Sequence, residues 1–309
     1  MQVPLSFRDS GSAIHRLSPF VLPAWVCVVL LGSLVLSHPV ALLAVLIATV
    51  PVAAAARVLR PWATTMKYVV WMGLAIVVIN AIVSNQGSHV LLEAGFSLPV
   101  VGTPRLTLEA LAYGAAMAVR LSAIISAFTL LNLCVHPDDL MRVAIRLRLP
   151  YRSVLVTSLS TRFVPVLLAD AAMIVDVQRS RGLEFDRGNL LERVRNRGAL
   201  ILPLLSNSLD RATQVAEAME SRAYGAGVKR TFYRDAPLAQ EDVAALALLC
   251  GAAALVVAMR VLGLDAYAYY PSLGTLALPT QAWAALAVLF VLLVALIPLA
   301  AAGRRRRRD

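Results

Sequence analysis

The chain alternates between long apolar runs and shorter polar segments. A bilayer crossing takes about 20 mostly apolar residues. Six runs reach or approach that length, namely Phe20–Ser37, Val40–Ala56, Tyr68–Ser84, Leu108–Val135, Val243–Leu262 and Trp283–Ala302. Only His38 and Pro39 separate the first two runs, which indicates a tight turn between them. The pattern predicts an all-α, polytopic membrane helix bundle of about six spans.

A long polar segment, residues 136–242, separates the fourth run from the fifth. It opens with His136-Pro137-Asp138-Asp139, which is typical of a helix start because proline suits the first helical position and acids suit the positive helix end. Apolar residues then follow at the spacing of one helical face, at Leu140, Val143, Ala144 and Leu147. Pro150 ends this short helix.

Two much longer helices are predicted in the rest of the segment. The first runs from about Arg152 to Arg181, with a kink at Pro165 and a stop at Gly182. The second runs from about residue 189 to 223, with a stop at Gly225, a kink at Pro203 and an apolar face made of Leu205, Leu209, Ala212, Ala216 and Met219. At 1.5 Å per residue each helix is roughly 45–50 Å long, far more than a connecting loop needs. We therefore predict three parts, with boundaries 1–135, 136–242 and 243–309.

Composition and charge add the orientation. Of the 309 residues, 59% are hydrophobic and 15% charged, a balance that favours a membrane protein over a soluble one. The two termini, the loop 57–67 and the segment 136–242 together hold 26 of the 29 Lys and Arg. Because cationic loops stay in the cytoplasm, this predicts a multi-pass cell-membrane protein with both termini and the segment 136–242 cytoplasmic.

The net charge of +11 therefore has a membrane explanation and does not call for a nucleic-acid partner. Arg304–Arg308 directly follows the last run and is typical of an anchor that contacts anionic lipid in the bilayer. Arg120 lies inside the fourth run, where it needs a partner. The sequence does not name that partner, since Glu109 is about three helical turns away.

Two similar triplets end the two long predicted helices. They are Ser180-Arg181-Gly182 and Ser221-Arg222-Ala223, 41 residues apart. One arginine at a helix C-terminus is explained by the helix dipole alone. Two copies at the ends of successive helices instead indicate a docking pair, because a guanidinium forms directed bonds with carboxylates or carbonyls of another protein. The pair could fit two matching sites on a dimeric partner.

The chain resembles a known family along most of its length. Ser12–Pro19 resembles an opening Ser-x-x-His-x-Leu-x-Pro motif, and His136–Pro150 resembles the entry to a cytoplasmic module. Arg162–Pro165 matches Arg-Phe-x-Pro, and the two arginine triplets resemble paired Ala-Arg-Gly signatures, with Ser180, Ser221 and Ala223 as small-for-small departures. These features resemble the transmembrane T component of energy-coupling factor transporters, which includes the cobalt-transport permease.

The resemblance implies a non-catalytic coupling subunit of an ATP-driven prokaryotic importer for vitamins or transition-metal ions. In that family the motif helices dock into two cytosolic ABC-type ATPase subunits, and the membrane part holds a separate substrate-binding S component. Carried over to this chain, the resemblance assigns docking to Arg181 and Arg222. Their small neighbours Ser180, Gly182, Ser221 and Ala223 would let the partner approach closely.

The sequence carries few signals of nucleotide binding, metal binding or catalysis. Neither of the two lysines, Lys67 and Lys229, stands in the register of a phosphate-binding P-loop, so ATP energy must come from another chain. The four histidines are scattered, and the three cysteines do not form metal-binding spacings; we predict no catalytic residue, metal or cofactor. The alternatives are a membrane enzyme acting on a lipid or polyprenyl substrate through Asp138, Asp139 and Arg181, and a solitary membrane scaffold.

Overall fold

The structure, a computed structural model, describes residues 12, 14–84, 87–93, 105–146, 150–182, 189–224 and 239–306. The described residues are mainly helical, which confirms the all-α membrane prediction. After a 3-10 turn at Ile14–Arg16, the elements are α1 (Val21–Val35), α2 (Pro39–Ala55), α3 (Leu59–Val83), β1 (Val90–Glu93), β2 (Arg105–Thr107), α4 (Leu108–Cys134), α5 (Pro137–Arg146), α6 (Tyr151–Ser180), α7 (Leu190–Ser221), α8 (Gln240–Val261), α9 (Thr280–Val294) and α10 (Leu296–Arg306). The two strands form a small antiparallel hairpin.

The chain divides into two compact units. The first, here called the membrane unit, comprises Met1–Leu140 and Pro237–Asp309; the second, here called the helical module, comprises Met141–Ala236. The segment predicted from sequence, 136–242, extends a few residues beyond the helical module at each end.

All six predicted runs form helices, and five helices in the described residues are long and apolar enough to cross a membrane. Four of the five coincide with predicted spans. They are α3, α4, α8 and the stretch 280–302, which contains α9 and the first part of α10. The fifth is Ser153–Ser180 of α6, which the sequence interpretation assigned to a cytoplasmic helix. The helices α1 and α2 are apolar but shorter.

Indole and hydroxyl groups link several helices within the membrane unit. The Nε1 of buried Trp25 on α1 donates to the carbonyl of Leu293 on α9 at 3.0 Å. The Nε1 of Trp62 donates to Ser126 Oγ at 2.8 Å, and that hydroxyl donates to Thr49 Oγ1 at 2.7 Å. The second chain of bonds connects α3, α4 and α2. Because such groups are costly to leave unpaired away from water, these bonds favour one arrangement of the bundle.

The closest packing joins α3 and α4 and depends on glycine. A Cβ atom at Gly114 would lie 2.9 Å from the Cα of Val77, and a Cβ at Gly73 would lie 3.1 Å from the Cβ of Ala118. Side chains larger than hydrogen would push these helices apart. Small residues at such crossings are a common way to pack helices within lipid, where apolar burial alone drives association weakly.

The helical module is built from α6 and α7, each of which continues through an internal proline, Pro165 and Pro203. On α7 most of the predicted apolar face is exposed: Leu205 and Leu209 are 61% and 65% exposed, Ala212 and Ala216 are exposed as well, and Met219 alone of the five is half-buried. The half-buried positions lie on the adjacent stripe, at Leu200, Pro203, Leu204, Ser208, Arg211, Val215 and Met219. The packed stripe includes a serine and an arginine, so hydrophobicity alone selected the wrong face.

Candidate functional site at the twin helix ends

The first predicted docking triplet forms the C-terminus of α6. The helix ends at Ser180, and the N–H of Arg181 donates to the carbonyls of Val177 and Gln178 at 3.2 and 3.1 Å. Gly182 follows in the left-handed region with φ of 89°, which glycine adopts without a steric penalty. The helix stop predicted at Gly182 is confirmed.

The second triplet forms the C-terminus of α7 in the same way. The helix ends at Ser221, and the N–H groups of Ala223 and Tyr224 donate to the carbonyls of Glu220 and Met219 at 2.8 and 2.9 Å. These two bonds are the pair that defines a Schellman motif, which satisfies the last carbonyls of a helix. At α6 the N–H of Gly182 makes the corresponding first bond, to the carbonyl of Arg179 at 3.0 Å.

The predicted stop at Gly225 is wrong. The left-handed residue that closes α7 is Ala223, with φ of 54°, and Gly225 lies outside the described residues. Alanine pays a steric cost of roughly 1 kcal/mol in this conformation, and the two capping bonds offset it. The rule that glycine marks the helix stop therefore missed the true position by two residues.

Each triplet begins with a serine whose hydroxyl bonds to its own helix. Ser180 Oγ donates to the carbonyl of Asp176, and Ser221 Oγ donates to the carbonyl of Ala218, both at 3.0 Å. The hydroxyl is thereby paired locally and adds little bulk beside the arginine. A serine here behaves as a small residue and leaves the neighbouring guanidinium accessible.

The six candidate residues share exposure and electrostatic setting. Ser180, Arg181, Gly182, Ser221, Arg222 and Ala223 are all exposed. Each arginine stands where the negative end of a helix dipole favours a cation, and its guanidinium presents a rigid fork of donors. Among the described residues, no hydrogen bond or ion pair joins one triplet to the other. The two helix ends therefore present similar, separate and exposed guanidinium groups.

Sequence reasoning missed the ion pair between the two long helices. Arg211 Nη2 on α7 lies 2.9 Å from Asp170 Oδ2 on α6. Both residues are charged positions on predicted amphipathic helices, where solvent exposure is the ordinary expectation. The available signal was their separation of 41 residues, equal to that of the two docking arginines.

The turn between α1 and α2 supplies the partner of Arg120. Its Nη2 donates to the carbonyl of Leu36 at 2.9 Å. At the same turn, Asp265 Oδ2 accepts from the N–H of Ser37 at 3.0 Å, and Arg260 Nη1 lies 3.7 Å from that oxygen. Burial lowers the pKa of His38, which follows Ser37 in the turn, although the charge of Asp265 acts to raise it. These contacts fasten the loop after α8, and Arg120 of α4, to the turn.

Polar side chains organise the starts of α5 and α8. His136 Nδ1 accepts from the N–H of Asp138 at 3.2 Å, so this histidine caps α5 as predicted. Asp242 Oδ1 and Oδ2 accept from the N–H groups of Ser18 and Ala239 at 2.9 and 3.2 Å, which ties the start of α8 to the opening motif.

In the part of the chain that the structure describes, no three His, Cys, Asp or Glu residues are grouped to hold a metal ion.

Comparison of the sequence with known proteins finds a family of transport proteins. The family described as "Cobalt transport protein" (CbiQ) matches residues 10–233. The energy-coupling factor transporter transmembrane protein EcfT of Bacillus selenitireducens is 30% identical over 266 residues, covering 83% of this chain and 96% of that protein. The proteins of the same name from Bacillus subtilis and Lactococcus lactis are 29% and 30% identical and cover 81% and 74% of this chain, and 94% and 86% of their own lengths.

The apolar helices define a multi-pass membrane protein, and the relatives identify its class as a transporter subunit. More particularly, the chain belongs to the CbiQ/EcfT family and is the T component of an energy-coupling factor transporter. The resemblance read from the motifs is confirmed. The alternative of an enzyme acting on a lipid or polyprenyl substrate has no support from these relatives.

Proposed function

We propose that the T component couples two cytosolic ABC-type ATPase subunits to a membrane-embedded S component, with Arg181 and Arg222 as the two docking points. The observation that carries this proposal is the duplicated helix end, in which each arginine is followed by a left-handed residue, Gly182 or Ala223. Two equivalent contact points suit a partner that presents two equivalent grooves. The small residues Ser180 and Ser221 leave room for the walls of such grooves.

The division of labour follows from chemistry that the chain lacks. Its two lysines do not stand in a phosphate-binding loop, so the ATPase subunits supply ATP hydrolysis. Binding and hydrolysis of ATP would move the grooves, and α6 and α7 would transmit that motion to the S component. The S component selects the substrate, a vitamin or a transition-metal ion. The chain itself needs no cofactor and no nucleic acid.

The orientation belongs to the same proposal. Both termini and the segment 136–242 lie in the cytoplasm of a prokaryotic cell, and the spans lie in its plasma membrane. The support is the charge asymmetry, with 26 of 29 Lys and Arg in the termini, the loop 57–67 and this segment. Only this orientation brings Arg181 and Arg222 to the side where cytosolic ATPases are found.

Reversing both docking charges tests the proposal. Arg181→Glu combined with Arg222→Glu should abolish co-purification of the ATPase subunits with the intact membrane complex, because each donor fork becomes an acceptor that repels carboxylates and carbonyls. Arg197→Glu is the matched control, since Arg197 is another exposed arginine of the helical module, and it should retain the ATPases. Retained binding and full uptake in the double variant would contradict the proposal.

Subunit identification in the unmutated complex separates the remaining alternative. A T component should bring down two ATPase subunits and an S component from solubilised membranes. A solitary scaffold would be isolated without any ATPase. The identity of the S component would also name the substrate.

A further inference from the structure

The two long helices of the module meet at an ion pair. Arg211 Nη2 on α7 donates to Asp170 Oδ2 on α6 at 2.9 Å, with side chains 39% and 19% exposed. The Nε atom of Arg211 is shielded from solvent, so the guanidinium reaches into the contact between the helices. This is a direct polar link between α6 and α7, and it fixes one position of each helix against the other.

The pair stands in the same relation to both docking points. Asp170 precedes Arg181 by 11 residues, and Arg211 precedes Arg222 by 11 residues. At 1.5 Å per residue, each docking arginine lies roughly 16 Å along its helix from the ion pair. The two docking arginines are therefore equally far from the ion pair along their own helices.

The half-buried stripes of the two helices repeat this register. Positions 163, 167, 170, 174 and 178 of α6 are half-buried, and so are 204, 208, 211, 215 and 219 of α7. Every member of the second set lies 41 residues after a member of the first. Within 163–178 of α6 and 203–219 of α7, the half-buried positions outside this match are 166, 171 and 175 of α6 and 203 of α7. Most of the matched positions carry apolar or small side chains, whose attraction is not directional. A complementary charge pair selects the register more strongly, because a slip of three or four residues separates the charges.

We propose that Asp170 and Arg211 form a register lock, which holds α6 and α7 so that Arg181 and Arg222 stand equally far from the helix contact. The inference rests on the proposed docking function of these two arginines. A slip of one helical turn would displace one docking point by about 5.4 Å relative to the other. Polar pairs that specify register at a modest contribution to stability are known in helical assemblies. Asp170 and Arg211 are positioning residues in this account.

The lock matters because docking at two points is bivalent. Once one arginine is seated, the second binds at an effective concentration set by the geometry of the module, and this advantage is lost when the geometry forbids simultaneous engagement. Breaking the lock should therefore weaken ATPase binding only while both docking points are intact. A residue with a general structural role would weaken binding whether or not the second point is present.

A double-mutant cycle distinguishes the two roles. We expect Asp170→Asn to weaken binding of the purified ATPase dimer to the full chain about tenfold when both docking arginines are present. In the Arg222→Ala background the same change should alter binding less than twofold. Asp176→Asn is the matched control, because Asp176 is an exposed carboxylate of the same helix, and it should have little effect in either background. Equal losses from Asp170→Asn in both backgrounds would overturn the proposal.

A charge exchange provides the rescue. Asp170→Arg with Arg211→Asp rebuilds the pair in the opposite sense and should restore binding to within about threefold of the wild type, whereas each single reversal should bind at least as weakly as Asp170→Asn. Failure of the exchanged pair to bind better than the single reversals would also overturn the lock.

A distance measurement keeps this test separate from the proposed function. Spin labels at positions 177 and 218, which are exposed and again 41 residues apart, report the register in the full chain after Cys27, Cys134 and Cys250 are replaced by alanine. Asp170→Asn should broaden the distance distribution or shift it by about one helical turn, even if Arg181→Glu with Arg222→Glu leaves ATPase binding intact. A distribution identical to that of the wild type would refute the register lock, whatever binds the ATPases.

Discussion

The two candidate docking arginines stand in similar backbone settings although their sequences differ. Gly182 and Ala223 both adopt left-handed conformations, with φ of 89° and 54°. In glycine this conformation is free of a Cβ clash, whereas in alanine it is strained. Ala223 adopts this conformation despite the strain because its own N–H and that of Tyr224 satisfy the last carbonyls of α7.

Ala223→Gly should strengthen the end of α7. Removing the Cβ relieves roughly 1 kcal/mol of strain, so the amides of Ala223 and Tyr224, which donate the two capping bonds, should exchange with solvent about fivefold more slowly. Hydrogen–deuterium exchange of the intact complex measures this. Gly182→Ala is the matched control and should speed exchange at the end of α6 by a similar factor. Faster exchange in Ala223→Gly would contradict the assigned strain.

At the scale of the elements, the membrane unit depends on small residues where α3 crosses α4. Gly114 faces the backbone of Val77, and a Cβ there would lie 2.9 Å from the Cα of that residue. A flexible side chain could move aside, but a helix backbone moves only with the whole helix. The separation between these two spans is therefore set by glycine at position 114.

Gly114→Ala should destabilise the membrane unit by about 1–3 kcal/mol, the usual cost of overpacking. Thermal unfolding of the purified protein in one detergent measures the effect as a lower midpoint. Gly251→Ala serves as the comparison, because a Cβ at Gly251 on α8 has no atom within 4 Å and alanine is the better helix former. Equal midpoints for the two variants would show that α3 and α4 separate at little cost.

The sequence was most informative where the physics is local. Hydrophobic runs of bilayer length located the helices of the membrane unit, and His136 and Gly182 marked a helix start and a helix stop. Contacts between residues that are distant in the chain could not be predicted from the sequence. The partner of Arg120 is the backbone carbonyl of Leu36, 84 residues earlier, and a carbonyl carries no sequence signature.

The faces of the long helices show the same limit. Hydrophobicity placed the apolar face of α7 at Leu205 and Leu209, yet the half-buried stripe lies beside it and includes Arg211. Arg211 lies on that stripe because its side chain pairs with Asp170 of the other helix, which is distant in sequence. Only the duplication of the docking triplet, with its spacing of 41 residues, carried information between the helices in the sequence itself.

For the molecule as a whole, both units expose large apolar side chains, and those of the membrane unit include Trp71 and Val261 at 73% and 79%. The membrane unit buries a large apolar cluster that includes Trp25, Leu130 and Leu289. The helical module keeps large side chains such as Leu168 and Leu202 exposed, at 67% and 75%. Exposed apolar surface of this kind is typical of contact with other proteins or lipid. Because residues 153–180 of the module are also long and apolar enough to cross a membrane, its exposed apolar side chains fit contact with lipid as well as with a protein partner.

The central claim is that the twin helix ends contact two ATPase subunits, and crosslinking from those ends tests it most directly. A photoreactive amino acid would replace Ser180 or Ser221 in turn in the intact membrane complex, with Ala212, an exposed residue of α7, as the control position. We predict that both triplet positions form covalent adducts with ATPase subunits and that position 212 does not. Absence of ATPase adducts from both triplet positions, in a complex that contains the ATPases, would contradict the account.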